Sequence, residues 1–229
     1  MATAVLSGST GLVGSNILST LLAHPGFSSV YAYTRRELPN PNGSTKLQPI
    51  QSADTSAWKA QFPSAQQPKI CFNALGTTRA QAGGVEAQRK IDHDLALELA
   101  QAAKAAGTDV YVLISSNGAN PNSYFAYPKM KGDLEEAVKG LGFKHTVIVR
   151  PGLIVGERSD SRPAEAALRS LAKGLKGLAG SGKLTDWWAQ DAGMIGRAAV
   201  EAGVRCMGGK REEGVWMMGM ADIVELGKQ

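Results

Sequence analysis

Short apolar runs alternate with longer segments of helical period along most of the chain, and that alternation predicts βα units wound into a parallel sheet, an α/β fold. The runs predict strands at Ala4–Ser7, Ser29–Thr34, Lys46–Ile50, Ile70–Asn73, Asp109–Ser115, Lys144–Arg150 and Gly214–Met218. The clearest helix is Val85–Ala106, where Ile91, Leu95, Leu99 and Ala102 or Ala103 recur at helical spacing before Gly107 as a stop. It is expected to cover one face of the sheet. Pro39–Gly43 and Asn117–Asn122 carry the turn residues of loops rather than of linkers between domains. There is no internal repeat and no low-complexity tract.

Composition narrows the class. A chain of 229 residues suits a single domain spanning 1–229, and 43% hydrophobic with 20% charged residues excludes a disordered or fibrous chain. No apolar run approaches the ~20 residues of a membrane-spanning helix. Cys71 and Cys206 stand far apart, and Cys71 lies in an apolar run, so free buried thiols are expected rather than a disulfide scaffold. His24, His93 and His145 form no spaced cluster with cysteine, so no metal site is expected. The net charge of +5 comes from scattered lysines and arginines without a basic block or aromatic RNA-binding signature, so no nucleic-acid partner is expected. Met1-Ala2-Thr3 leads directly into an apolar strand, which predicts neither a secretory nor a transit leader.

The first chemistry appears in the opening residues. Val5-Leu6-Ser7-Gly8-Ser9-Thr10-Gly11-Leu12-Val13-Gly14 reads as a strand, a tight turn and a helix start, with the spacing G-x-x-G-x-x-G. Gly8 permits a sharp turn, Gly11 close approach of backbone to a pyrophosphate, and Gly14 close packing of the helix, whose N-terminus offers N–H donors and partial positive charge. Residues 8–14 are therefore candidates for holding a dinucleotide. The second strand ends Tyr33-Thr34-Arg35-Arg36, about 20 residues beyond the last glycine, where an acid would select a free ribose and a base a 2′-phosphate. Arg35 and Arg36 accordingly predict NADP(H) over NAD(H). Asp54 has two readings, closure over the adenine or an N-cap for the following turn. Ile70–Thr78 reads as a buried strand ending in small residues, so that Asn73, Ala74 and Gly76 either approach the cofactor or form a plain turn.

The strand around Tyr111–Ile114 delivers Ser115 and Ser116, and Tyr127 with Lys131 follows at four-residue spacing, one helical turn apart. A phenol with an ordinary pKa of ~10 is a poor proton donor near neutrality, and an adjacent ammonium is expected to bring it down toward the working range. A serine hydroxyl beside the same carbonyl can position it and stabilise charge on its oxygen. Either Ser115 or Ser116 can take that place.

Taken together, G-x-x-G-x-x-G, the serine pair, Tyr127-x-x-x-Lys131 and Arg150-Pro151-Gly152 resemble the short-chain dehydrogenase/reductase superfamily over nearly the whole chain. Ile114–Ala119, Arg150–Leu153 and Glu157–Pro163 resemble its atypical branch that includes the Tat-interactive protein, and within it the fungal members at the mitochondrial outer surface. The resemblance implies a Rossmann-type doubly wound fold, NADP(H) as cofactor, Tyr127 as proton donor, Lys131 on the nicotinamide ribose, and Pro151 and Gly152 beside the nicotinamide. It also implies a peripheral place on the cytosolic face of the mitochondrial outer membrane, with the cytoplasm as the alternative. Many members carry an asparagine on the long helix as part of a proton relay; here that stretch reads Lys90-Ile91-Asp92-His93-Asp94, with Asp92 as substitute or as sign of a weakened relay. Residues 152–229 are left to build the substrate side, enough for a modest pocket.

Between Pro163 and Lys183, Leu168, Leu171, Ala172, Leu175 and Leu178 share a helical face, with Arg169, Lys173 and Lys176 away from it and Trp187-Trp188 beyond. Packing over the pocket is favoured over peripheral membrane contact, and Gly174, Gly177 and Gly180 suggest a mobile lid. Two functions follow: an NADP(H)-dependent enzyme reducing a small carbonyl substrate, or a nucleotide-bound regulatory adaptor of the same fold. The sequence leaves the substrate and the oligomeric state open.

Overall fold

A computed structural model describes residues 1–40, 43–155 and 189–228. Its strands are β1 (Ala2–Ser7), β2 (Phe27–Thr34), β3 (Leu47–Gln51), β4 (Ile70–Asn73), β5 (Val110–Ile114), β6 (His145–Val149), β7 (Leu153–Val155), β8 (Ala189–Asp191) and β9 (Gly214–Met218). Its helices are α1 (Leu12–Ala23), α2 (Arg79–Ala82), α3 (Val85–Arg89), α4 (Ala96–Ala105), α5 (Ala126–Gly140), α6 (Ala192–Met207) and α7 (Met220–Leu226). Seven strands form one parallel sheet in the order β3-β2-β1-β4-β5-β6-β9, and β7 pairs with β8 in a second, two-stranded parallel sheet.

The strand pattern follows from burial. β4, β5 and β6 are buried along their whole length, which is why they read as continuous apolar runs, whereas the edge strands β3 and β9 alternate or lie exposed. Successive residues of β1 point to opposite faces: Ala4 and Leu6 join Ile17, Leu21, Ile195 and Ala199 under α1 and α6, while Val5 joins Leu99, Tyr111, Leu134 and Phe143 under α4 and α5. The chain winds outward from β1 through β2 to β3, then returns to β4 on the other side of β1. That reversal makes a crevice at the C-terminal ends of β1 and β4, the place where open α/β sheets bind ligands. The fold is Rossmann-like, as the sequence predicts.

One predicted element differs. Val85–Ala106 is not a single regular helix: between α3 and α4, residues Lys90–Leu95 form a π-helical turn. The wider turn shifts the helical phase, so Leu95, Leu99 and Ala103 are buried while Ile91 drops to the rim of a surface cleft. The Glu157–Pro163 motif, the Pro163–Lys183 amphipathic segment with its three glycines, and Trp187-Trp188 lie outside the described residues, as do Pro41 and Asn42 of the first loop.

Candidate active site

The glycine turn is built by close backbone approach. Gly8 has φ 81°, and a Cβ there would collide with the Ala74 carbonyl at the end of β4. A Cβ at Gly14 would collide with the Gly8 carbonyl, so α1 starts directly against the turn. Gly11 is the extended N-cap of α1, its N–H donating to Gly8 O at 2.9 Å, and no side chain caps the helix. The positive end of α1 therefore opens on the crevice. Gly11, Leu12, Ala74 and Gly76 line both an inner cleft of about 340 Å³ and an outer one of about 740 Å³, and Gly76 faces open space.

Thr10, Arg35 and Arg36 border the outer cleft with Tyr33, Thr34, Ala53, Thr55 and Trp58. Thr34 Oγ1 donates to the Arg36 carbonyl at 2.5 Å, folding the arginine pair back at the strand end. Ser9 turns its hydroxyl inward to Tyr33 O at 2.7 Å and acts as a stitch between strand ends. Val13 lines the inner cleft.

Asp54 and Asn73, both expected at the cofactor, line neither cleft. Asp54 is an exposed N-cap, its carboxylate accepting from Ser56 N at 2.9 Å and Ser56 Oγ at 2.7 Å, so the second of its two readings holds and its neighbours Ala53 and Thr55 line the cleft instead. Asn73 is buried with its amide turned inward, donating to Tyr111 Oη at 2.9 Å and accepting from Leu75 N at 3.0 Å. It shapes the Ala74–Leu75 turn from behind.

The inner cleft gathers Ser115, Ser116, Tyr127, Lys131, Pro151, Gly152 and Asp92. β5 and β6 end side by side, and Ser115 N donates to Val149 O and Asn117 N to Pro151 O, both at 2.8 Å. Gly152 N donates to Gln190 Oε1 at 3.2 Å, and Gln190, fully buried, donates onward to Met220 O at 2.9 Å. Sequence reasoning missed Gln190 because its partners, Gly152 and Met220, come from two distant segments. α5 starts at Ala126, which puts Tyr127 in its first turn, 44% exposed, and Lys131 one turn below, 4% exposed.

The two serines separate cleanly. Ser115 is buried and its hydroxyl donates to the Glu135 carboxylate, whereas Ser116 is half-buried, donates to the Asn117 carbonyl at 3.3 Å and lines the inner cleft with Tyr127. The expectation that Lys131 lowers the Tyr127 phenol is overturned. Burial pushes that phenol above its ordinary range, Ser116 partly offsets the rise, and the Asp92 charge adds to it. Lys131 does not compensate because Nζ donates to the Ile114 carbonyl at 3.1 Å and answers to the carboxylates of Asp92 and Glu135. Burial pulls the ammonium below its usual range, against the pull of those two acids.

Asp92 reaches the cleft through the π-helical turn. It is 1% exposed, accepts from Thr77 N at 2.7 Å and Gln88 Nε2 at 3.3 Å, and burial pushes its carboxyl above the usual carboxylate range. It ties the Gly76–Thr78 loop to the long helix. Among the described residues no group of three or more acids, histidines or cysteines is arranged to hold a metal.

Residues 40–176 match the HIM1 family, and the chain is 52% identical over 236 residues to the mitochondrial protein fmp52 of Aspergillus fumigatus, which covers 99% of each chain. The chain belongs to the HIM1 family, alongside the fungal fmp52 proteins. The corresponding protein of Emericella nidulans is 48% identical over 235 residues, again along the full length of both. In fold, the family member resembles the UDP-N-acetylglucosamine 4-epimerase of Methanobrevibacter ruminantium, with TM-score 0.70 and 18% identity over 95% of this chain and 76% of that one. It also resembles the Bordetella bronchiseptica enzyme WbmH, solved in complex with NAD+, with TM-score 0.67 and 16% identity over 98% and 79% of the two chains. These likenesses are of the Rossmann-like fold.

Proposed function

We propose that this protein is an NADP(H)-dependent oxidoreductase of the short-chain dehydrogenase/reductase type that reduces a small carbonyl compound. The observation that carries the reading is that Ser116, Tyr127 and Lys131 line the same cleft as the uncapped N-terminus of α1 and the open space at Gly76. Those backbone features fit a dinucleotide: the helix end takes the pyrophosphate, and Arg35 with Arg36 suits a 2′-phosphate at the outer cleft. When bound, the reduced nicotinamide supplies the hydride.

The chain's own part is proton handling and orientation. Tyr127 Oη gives its proton to the carbonyl oxygen as hydride reaches the carbon, and Ser116 donates a hydrogen bond to that oxygen. Tyr127 is exposed enough to recover a proton from water. An ammonium has three donors, and Lys131 uses one on Ile114 O, leaving others for ribose hydroxyls. Within the superfamily we place the chain in the atypical branch with the Tat-interactive protein, on Ile114–Ala119 and Arg150–Leu153. The relatives' names support a mitochondrial location, which we assign to the outer surface; no helix of the described residues is long and apolar enough to cross a membrane.

The test is calorimetric titration with NADPH and NADH of wild type and Arg35→Asp, followed by a carbonyl screen with Tyr127→Phe. NADPH preference lost in Arg35→Asp, and turnover reduced about 10²–10⁴-fold in Tyr127→Phe with nucleotide binding retained, are expected. No binding of either nucleotide overturns the reading. Tight binding without turnover of any carbonyl replaces it with the regulatory one.

A further inference from the structure

Glu135 lies one helical turn beyond Lys131 and two beyond Tyr127, on the face of α5 that meets the sheet. Its carboxylate is 1% exposed. Arg150, just after β6, grips it with both arms of the guanidinium, Nε to Oε1 at 3.0 Å and Nη2 to Oε2, while Ser115, just after β5, donates its hydroxyl to Oε1. One acid thus fastens α5 to the ends of the two strands that carry the cleft.

Stability alone does not call for such a group. Burying an ion pair costs about as much as it returns, and apolar residues of similar volume commonly serve as well. The surroundings give it another task. Lys131 is buried at 4% exposure, and a buried ammonium without anions sheds its proton. The acids whose charge acts on it are Asp92 from the π-helical turn, which lines the same cleft, and Glu135 from its own helix; Tyr127 lines that cleft too, and Arg150 is paired with Glu135. Charges therefore alternate from Asp92 through Lys131 and Glu135 to Arg150.

We propose that Glu135 is the positioning residue of this site: it is an anionic support that keeps Lys131 an ammonium beneath the cleft and, by taking the Ser115 hydroxyl, leaves Ser116 as the serine that faces Tyr127. Its catalytic consequence rests on the oxidoreductase reading, but the charge on Lys131 does not.

The experiment uses the full chain without nucleotide, labelled with ¹³C-lysine, with the Lys131 Cε resonance assigned by its loss in Lys131→Arg. Its titration midpoint is compared in wild type, Glu135→Gln and Glu135→Asp, beside the thermal melting of each. Glu135→Gln is expected to lower the midpoint by about one pH unit or more, and Glu135→Asp, which keeps the charge, to restore most of it. Should Glu135→Gln fail to fold, the double variant Glu135→Gln/Arg150→Gln removes both charges together and is expected to lower the midpoint by less, since the opposing guanidinium charge goes too. A midpoint unchanged from wild type, whatever happens to melting, overturns the proposal and leaves Glu135 a structural clamp. If wild type neither binds nucleotide nor turns over a carbonyl, the oxidoreductase reading fails while the midpoint comparison still stands.

Discussion

Tyr127 shows how little an i,i+4 spacing says about charge. The sequence brings an ammonium one turn from the phenol, yet the ammonium donates to a carbonyl and feels the charge of two carboxylates, and the phenol rises instead of falling. For a proton donor this has a definite sign. On the proposed function the protonated phenol is the active form, so the rate of carbonyl reduction should stay level through neutrality and fall only as pH climbs through a midpoint above the ordinary ~10. Asp92→Asn removes a charge that raises the midpoint, so the alkaline limb of the rate profile should move down; Ser116→Ala removes a bond that lowers it, so the limb should move up. Limbs moving the other way in a pH–rate profile would dismiss this account. Glycine positions and the Tyr-Lys spacing were legible because they are local. Glu135 was not: Lys131 and Glu135 four apart read as an ordinary surface pair, and nothing in the chain's own string announces that Arg150 and Ser115 will close over it.

The elements were legible as far as their period is regular. Buried strands declared themselves as apolar runs, and the long helix kept its stripe beyond Leu95. The π-helical turn broke the phase, because one wider turn shifts every later residue around the axis, and hydrophobic spacing averages over such a shift. It is also what brings Asp92 to the cleft. At the other junction of strand and helix, α1 seats itself against the Gly8 carbonyl with no room for a methyl group at Gly14. Gly14→Ala should therefore displace the start of α1, destabilise the protein by about 1–3 kcal/mol in denaturant unfolding, and weaken nucleotide binding beyond detection by calorimetry. Unfolding like wild type with full binding would mean the helix can yield at that contact.

Across the whole molecule the sheet separates two apolar layers, and each holds one cysteine: Cys206 lies with α1 and α6, Cys71 with α4 and α5. Burial pushes the Cys71 thiol up to about 12 and Cys206 up to about 11, so neither is a nucleophile near neutrality. Both should resist a thiol reagent in the native protein and become reactive together across one denaturant transition, coincident with loss of the far-ultraviolet circular dichroism. One cysteine reacting well before the other would reveal layers that open separately. This long-range order was the least legible part of the fold, since β9 finds β6 and β8 finds β7 across intervals that leave no mark on local composition.

The β7–β8 pair sits at the edge of the inner cleft. Leu153 lies beside Ala189 and Val155 beside Asp191, so the chain departs from the cleft and comes back to it within the span of one short strand, and Asp191 then caps α6 through Gly193 N and Met194 N. Val155 and Ala189, which bound residues 156–188, thus both belong to one strand pair. The pairing thereby couples one wall of the cleft to the start of α6, so that a displacement at either end is passed to the other.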